Sequence, residues 1–252
     1  MKRVLTALVL VPFALLAIYW APQPVFVAIA ITIALLCYRE FAGLTVAHGY
    51  ESPGPLGYAA GLAMFFFPSE IRVVALLLLA GAMAVRTLAS FLPTAACSVL
   101  GVIYIFGAWR CAVDLRAISP HWILFALAIN WVGDVAAFYV GKAIGRHRLA
   151  PRVSPAKSWE GAAASLLAAV AFGLVFRRLA SIAIPVLPML ALSVVANIAG
   201  QLGDLAESAM KRGAGVKDSG AFLPGHGGWL DRLDSSLFTL PAISGLLPYL
   251  IR

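Results

Sequence analysis

Charge is what this sequence has least of. Aspartate, glutamate, lysine and arginine together make up 12% of its 252 residues, about half the share found in ordinary soluble domains. Hydrophobic residues make up 62%, and the mean hydropathy is +0.93. This shortage excludes an ordinary soluble domain and puts the chain in a bilayer.

Acidic residues are scarcer still, 11 against 19 lysines and arginines, for a net charge of +8. The bases are scattered in short loops between apolar runs, as membrane topology distributes them, rather than gathered into a stripe. No nucleic-acid partner is expected. Cysteine is also sparse: Cys37, Cys97 and Cys111 are odd in number and each lies in or beside an apolar run. Neither a disulfide framework nor a zinc site fits that pattern. Fixed-period repeats and low-complexity tracts are lacking too.

What the chain has instead is long apolar runs. Nine candidate spans lie near residues 4–20, 25–38, 56–68, 71–85, 92–109, 122–140, 161–176, 182–200 and 237–251. A span needs about 20 apolar residues, so the third and fourth are short, and Pro68 between them would make a helical hairpin or a broken span. Lys2-Arg3 ahead of the first run could open a signal peptide, but the run is longer than the usual apolar core of about 7–15 residues and reads better as a first span. The expected fold is all-α: one polytopic membrane domain, with residues 1–120 as amino-terminal helices and residues 121–252 carrying the chemistry.

With the amino terminus inside, thirteen bases fall on the cytoplasmic side and six outside, which obeys the positive-inside tendency. The two longest polar segments, residues 141–160 and 201–236, then share the cytoplasmic face. Both are rich in Gly, Pro and Ser, which suits structured loops whose backbone amides approach a ligand.

The second segment carries ten ionisable residues. Asp204, Glu207, Ser208 and Lys211 recur every three to four residues and share one helix face. Such oxygens suit a hard cation such as magnesium, although an ordinary ion-pair patch at a helix end would read the same way. Asp231-Arg232-Leu233-Asp234 supplies a second acidic pair, either a metal clamp for phosphoryl chemistry or carboxylates at the positive end of a helix. Between them lie Lys217-Asp218 and Pro224-Gly225-His226-Gly227-Gly228, a loop able to wrap phosphates with backbone N–H groups. His226 could donate to phosphate, exchange a proton, or simply bond the turn.

The first segment carries Ser154, Lys157, Trp159 and Glu160 after Lys142, Arg146 and Arg148. Its cations are partners for phosphate oxygens; Trp159 suits the headgroup level better than a stacking role. Asp134 lies inside the sixth run, where a carboxylate is costly and is expected to point to a partner or wet cavity, shared with Asn130 one turn away.

From Ser208 to Asp234 the chain resembles the phosphatidate cytidylyltransferase (CDP-diacylglycerol synthase) family, whose signature is S-x-x-K-R-x4-K-D-x-G-x2-L-P-x-H-G-G-x2-D-R-x-D. Ser208, Lys211, Arg212, Lys217, Asp218, Gly220, Leu223, Pro224, His226, Gly227, Gly228, Asp231, Arg232 and Asp234 all match. Residues 203–208 and 154–161 also look like the family's, whereas Trp229 and Ala156 depart from its usual residues. The resemblance implies transfer of a cytidylyl group from CTP to phosphatidate, releasing pyrophosphate, at the cytoplasmic face of a membrane. The short loops point to a bacterial inner membrane. Asp204 and Asp231 would hold Mg2+, helped by Glu207 and Asp234, and a second, monovalent cation such as K+ is compatible. Lys211, Arg212, Lys217, Asp218, His226 and Arg232 would be catalytic; Ser154, Lys157, Trp159, Glu160, Ser208, Gly227, Gly228 and Asp134 would bind substrate. Partners would be CTP, phosphatidate and membrane lipids, with a homodimer left open. A CTP-dependent lipid kinase, a transporter and a catalytically silent relative are the competing readings.

Overall fold

Proline and glycine punctuate the helices of this chain, seen in a computed structural model that describes residues 2–52, 54–85, 87–220 and 227–250, with backbone alone for 2–10. α1 (Lys2–Tyr19) is followed by α2 (Gln23–Ala47), which starts after Pro22 with Pro24 in its first turn, where a missing N–H costs nothing. α2 ends at Gly49, whose φ of +85° closes the helix in the left-handed region that glycine tolerates. Two short helices follow, α3 (Gly54–Phe66) and α4 (Ile71–Gly81), joined by a 3₁₀ turn at Pro68–Glu70. At 1.5 Å per residue they are about 20 and 16 Å long, well short of a bilayer core of about 30 Å.

α5 (Leu88–Gly101) runs through a π-helical turn at Val102–Gly107 into α6 (Ala108–Ile118). α7 (Pro120–Ile144) is capped by Ser119, whose hydroxyl accepts the His121 N–H. After the first polar segment come α8 (Trp159–Leu179) and α9 (Val186–Gly213). The second polar segment leads into the short α10 (Leu230–Leu233) and then α11 (Ser236–Leu250).

Among the described residues, five helices are long and apolar enough to cross a membrane: Gln23–Ala47, Leu88–Ile118, Pro120–Ile144, Trp159–Leu179 and Val186–Gly213. Gly54–Phe66 and Ser236–Leu250 are shorter apolar helices. Leu76, Leu77, Leu88, Leu167 and Leu187 are all exposed, a distribution suited to lipid and a liability in water.

The all-α expectation is corrected in one place. The first polar segment folds into an antiparallel hairpin, β1 (Arg148–Ala150) with β2 (Ser154–Ser158), pairing Arg148 with Ser158 and Ala150 with Ser154. Pro151 at its turn and the helix ends on either side hold these few residues extended, too short a stretch to show a two-residue period.

The chain divides into two compact units that are not sequential halves: Met1–Val113 with Met210–Leu233, and Asp114–Ala209 with Asp234–Arg252. In the first, Tyr38 stacks edge-on against Tyr58 at 4.9 Å and packs on Phe106 at 5.2 Å, with Phe65 beyond. Gly101 admits this cluster, since a Cβ there would meet Phe41 at 2.5 Å. In the second, α7 packs along α8, with Phe125 against Phe172 and Phe176. Polar groups tie its helices: Asn197 donates to Ser165 at 2.9 Å, Gln201 to the Ala162 carbonyl at 3.3 Å and Thr239 to Asn130 at 3.0 Å. Small residues and interhelical hydrogen bonds of this kind hold helices together in lipid, where apolar burial drives little.

Candidate active site

The signature segment closes on itself in the first unit. Lys211, near the end of α9, donates to Asp231 Oδ1 at 2.6 Å, and both side chains are nearly buried, at 11% and 3% exposure. Asp231 Oδ2 accepts from the Ser219 N–H and hydroxyl, each at 2.9 Å, and from the Gly228 N–H at 2.7 Å. Burial alone would raise the Asp231 pKa. The hydrogen bonds from Lys211 and Gly228, the Lys211 charge and the Ser219 N–H outweigh it and hold the carboxyl below its ordinary value. Gly227 passes over this carboxylate with φ +77°, and a Cβ on it would lie 2.6 Å from Oδ2. The glycines of the signature therefore let backbone approach Asp231.

A third carboxylate enters the cluster from α2. Glu40 Oε1 accepts the Trp229 N–H at 3.0 Å, and Oε2 accepts the Leu230 N–H at 2.8 Å and the Ser219 hydroxyl at 3.0 Å. Sequence reasoning missed both Glu40 and Ser219. The signal for Glu40 was an acidic residue at the end of an apolar run, a position that favours function; Ser219 occupies an unspecified position of the signature and gave none.

The second unit holds a more open pair. Lys157, on β2, meets Asp204 Oδ2 at 2.5 Å, with side chains 27% and 28% exposed, and Ser208 donates to Asp204 Oδ1 at 3.3 Å. Lys157 thus arrives on the hairpin, whose end is fixed by Ser158. That hydroxyl caps α8 by accepting the Gly161 N–H at 3.1 Å, and glycine at 145 is required because a Cβ would sit 2.6 Å from it. Glu160 receives the His147 N–H at 3.3 Å and lies 2.6 Å from its ring Nδ1. This carboxylate fastens the start of the hairpin. Trp159 is exposed beside it, and Ser154 is half-buried within β2.

The remaining expected residues are placed as follows. Arg212, Lys217, Asp218 and Arg232 are exposed, and Arg212 reaches the Val216 carbonyl at 3.2 Å. Glu207 is fully buried. Asp234 accepts the Ser235 N–H at 2.7 Å, in a turn so close to α9 that a Cβ at Gly203 would come within 2.6 Å of its carbonyl oxygen. Asp134 is exposed, whereas Asn130, one turn earlier, is buried against Thr239 and Ala126. Asn130 and Asp134, one turn apart on α7, thus differ in burial. His226 lies outside the described residues, as do its neighbours at 221–225.

The profile of the cytidylyltransferase family matches residues 1–250. The chain belongs to the cytidylyltransferase family. It is 33% identical over 227 residues to a phosphatidate cytidylyltransferase of Staphylococcus aureus, covering 85% of this chain and 86% of that one. With a Staphylococcus saprophyticus protein of the same name it shares 31% identity over 227 residues, with the same coverage. The Bacillus subtilis phosphatidate cytidylyltransferase is 40% identical over 151 residues, 59% of this chain and 56% of that protein.

Members of a cytidylyltransferase family act on nucleoside triphosphates, so a divalent cation must be weighed against the donors present. Among the described residues, no three His, Cys, Asp or Glu side chains are gathered closely enough to enclose a metal. The donor chemistry nonetheless fits a hard cation. Asp204 and Asp231 each already face a positive charge, and Asp231 is held ionised while Asp204 is partly open to solvent beside the Ser208 hydroxyl.

Proposed function

We propose that this chain transfers the cytidylyl group of CTP to phosphatidate, giving CDP-diacylglycerol and pyrophosphate, at the cytoplasmic face of a bacterial inner membrane. The observation that carries the reading is the Lys211–Asp231 pair, which unites the two ends of the signature segment across 20 residues and fixes a lysine in a nearly dry pocket. Family membership and the names of its relatives supply the substrate class.

In this reaction an oxygen of the lipid phosphate attacks the α-phosphorus of CTP. A new P–O bond forms as the bond from the α-phosphorus to the bridging oxygen breaks, and pyrophosphate leaves with that electron pair. Both reactants are anions, so fixed positive charge is the main requirement. Lys211 is held in place by Asp231, which fixes its ammonium charge for a phosphate. Lys157, in its more exposed pair, can exchange the Asp204 carboxylate for phosphoryl oxygens. Arg212, Lys217 and Arg232 are exposed, where the triphosphate or the lipid headgroup can reach them. A phosphate monoester dianion is already nucleophilic near neutral pH, so no strong general base is needed. Asp204 and Asp231, with Glu207 and Asp234, are the carboxylates that would hold magnesium, which when bound would offset charge on the phosphates. The nine apolar runs, with the amino terminus inside, belong to the same proposal.

The test is an assay of the purified protein with phosphatidate and CTP labelled in either the cytidine or the γ-phosphate, with and without magnesium. Cytidine label in the lipid with free pyrophosphate is expected. Transfer of γ-phosphate label to the lipid would make the protein a kinase and overturn the proposal, as would an absence of any turnover.

A further inference from the structure

Glu40 has no part in the signature, yet its carboxylate is where α2 meets that segment. It accepts two consecutive backbone N–H groups, those of Trp229 and Leu230, and the hydroxyl of Ser219. Those contacts bridge 179 to 190 residues of sequence. The Ser219 oxygen also lies 2.9 Å from Asp231 Oδ2, so one hydroxyl stands between two carboxylates and can donate its single proton to only one of them at a time. Leu230 immediately precedes Asp231 in the chain. Whatever fixes Leu230 and Ser219 therefore fixes the carboxylate that holds Lys211.

Space around Glu40 is tight as well. A Cβ at Gly220 would lie 2.7 Å from Oε1, and one at Gly228 would overlap Oε2. The carboxylate has no room to swing aside without giving up its three donors. Two glycines of the signature thus serve an acid outside it.

We propose that Glu40 is a positioning residue for cytidylyl transfer: it acts through Ser219 and the Trp229–Leu230 backbone to set Asp231, and through Asp231 the Lys211 ammonium. This rests on the function proposed above. Removing Glu40 leaves two half-buried N–H groups unpaired and releases Ser219, so Asp231 keeps its donors but loses a fixed geometry. Rate at saturating substrate should suffer, because the lysine is no longer held where charge develops in the transition state.

The experiment compares wild type with Glu40→Ala, Glu40→Gln and Gly228→Ala in detergent, reading turnover per folded molecule, KM for CTP and phosphatidate, and backbone amide exchange at Trp229 and Leu230. Glu40→Ala should lower kcat about 10- to 100-fold, the range for losing hydrogen bonds to a charged group, with the phosphatidate KM nearly unchanged. Exchange should quicken at those two amides while the helices stay protected. Glu40→Gln keeps one acceptor oxygen and should recover part of the loss, and Gly228→Ala should mimic Glu40→Ala. A purely structural role would instead reduce the yield of folded protein and leave kcat and KM of the remainder at wild-type values, overturning the proposal. Unchanged exchange at Trp229 and Leu230 in Glu40→Ala would overturn it as well. If wild type makes no CDP-diacylglycerol, the functional reading fails on its own, and the positioning proposal for that reaction falls with it even if the exchange data confirm the contact.

Discussion

Lys211 and Asp231 meet with side chains 11% and 3% exposed, whereas Lys157 and Asp204 meet with side chains 27% and 28% exposed. Their distances, 2.6 and 2.5 Å, hardly differ; their surroundings do. Asp231 accepts three further donors on its other oxygen, and Asp204 accepts one hydroxyl at 3.3 Å. A buried pair is costly to break because the partner left behind stays charged and unsolvated, whereas a partly exposed pair exchanges partners at little cost. On the proposed function, the first pair belongs to the frame of the site and the second is the one that would meet ligand.

The largest expected effect comes from breaking the buried pair. Asp231→Ala strands Lys211 and should cost about 3–5 kcal/mol of stability, the range for removing one partner of a buried pair, together with nearly all turnover. Thermal unfolding of the purified protein and the labelled-CTP assay read the two losses separately. A variant as stable as wild type would place Asp231 with the exchangeable pair.

Acid should make the same break reversibly. Asp231 is more acidic in the folded chain than its ordinary value, so its contribution to stability is complete above about pH 4 and is lost as the pH falls through the lower, folded pKa. Unfolding followed from pH 7 downwards should show no loss of stability from this group until below about pH 4, and Asp231→Asn should remove that part of the acid dependence.

A smaller effect on stability is expected at the exposed pair. Lys157→Ala should change stability by less than about 1 kcal/mol while raising the KM for CTP or phosphatidate about tenfold, as loss of a charge-assisted contact does. A stability loss equal to that of Asp231→Ala would erase the distinction between the pairs. Least affected should be Glu160→Gln. It loosens the His147 contact at the hairpin and should leave stability, read by thermal unfolding, nearly unchanged, as for most exposed pairs.

Much of this was legible before any fold was known. The apolar runs located the long helices, because a chain in lipid must satisfy its backbone within each segment. The signature placed Lys211, Asp231 and the glycines in one segment, and the structure brings them into contact. Run lengths misled where a helix continued past polar residues: the run ending near 109, which contains the π-helical turn, carries on in α6 to Ile118. The hairpin at 148–158 escaped because a three-residue strand has no period to detect. Burial along α7 was not legible either: Asn130 is buried and Asp134, one turn on, is exposed.

Composition and motif by themselves determined the membrane class and the family, since each is a property of residues near one another in the chain. Only the tertiary structure decided that Lys211 pairs with Asp231, Lys157 with Asp204, Glu160 with His147, and that Glu40 closes on the signature from 179 residues away. Such pairings depend on which donors burial brings within about 3 Å of a carboxylate, and a one-dimensional pattern holds no record of that distance.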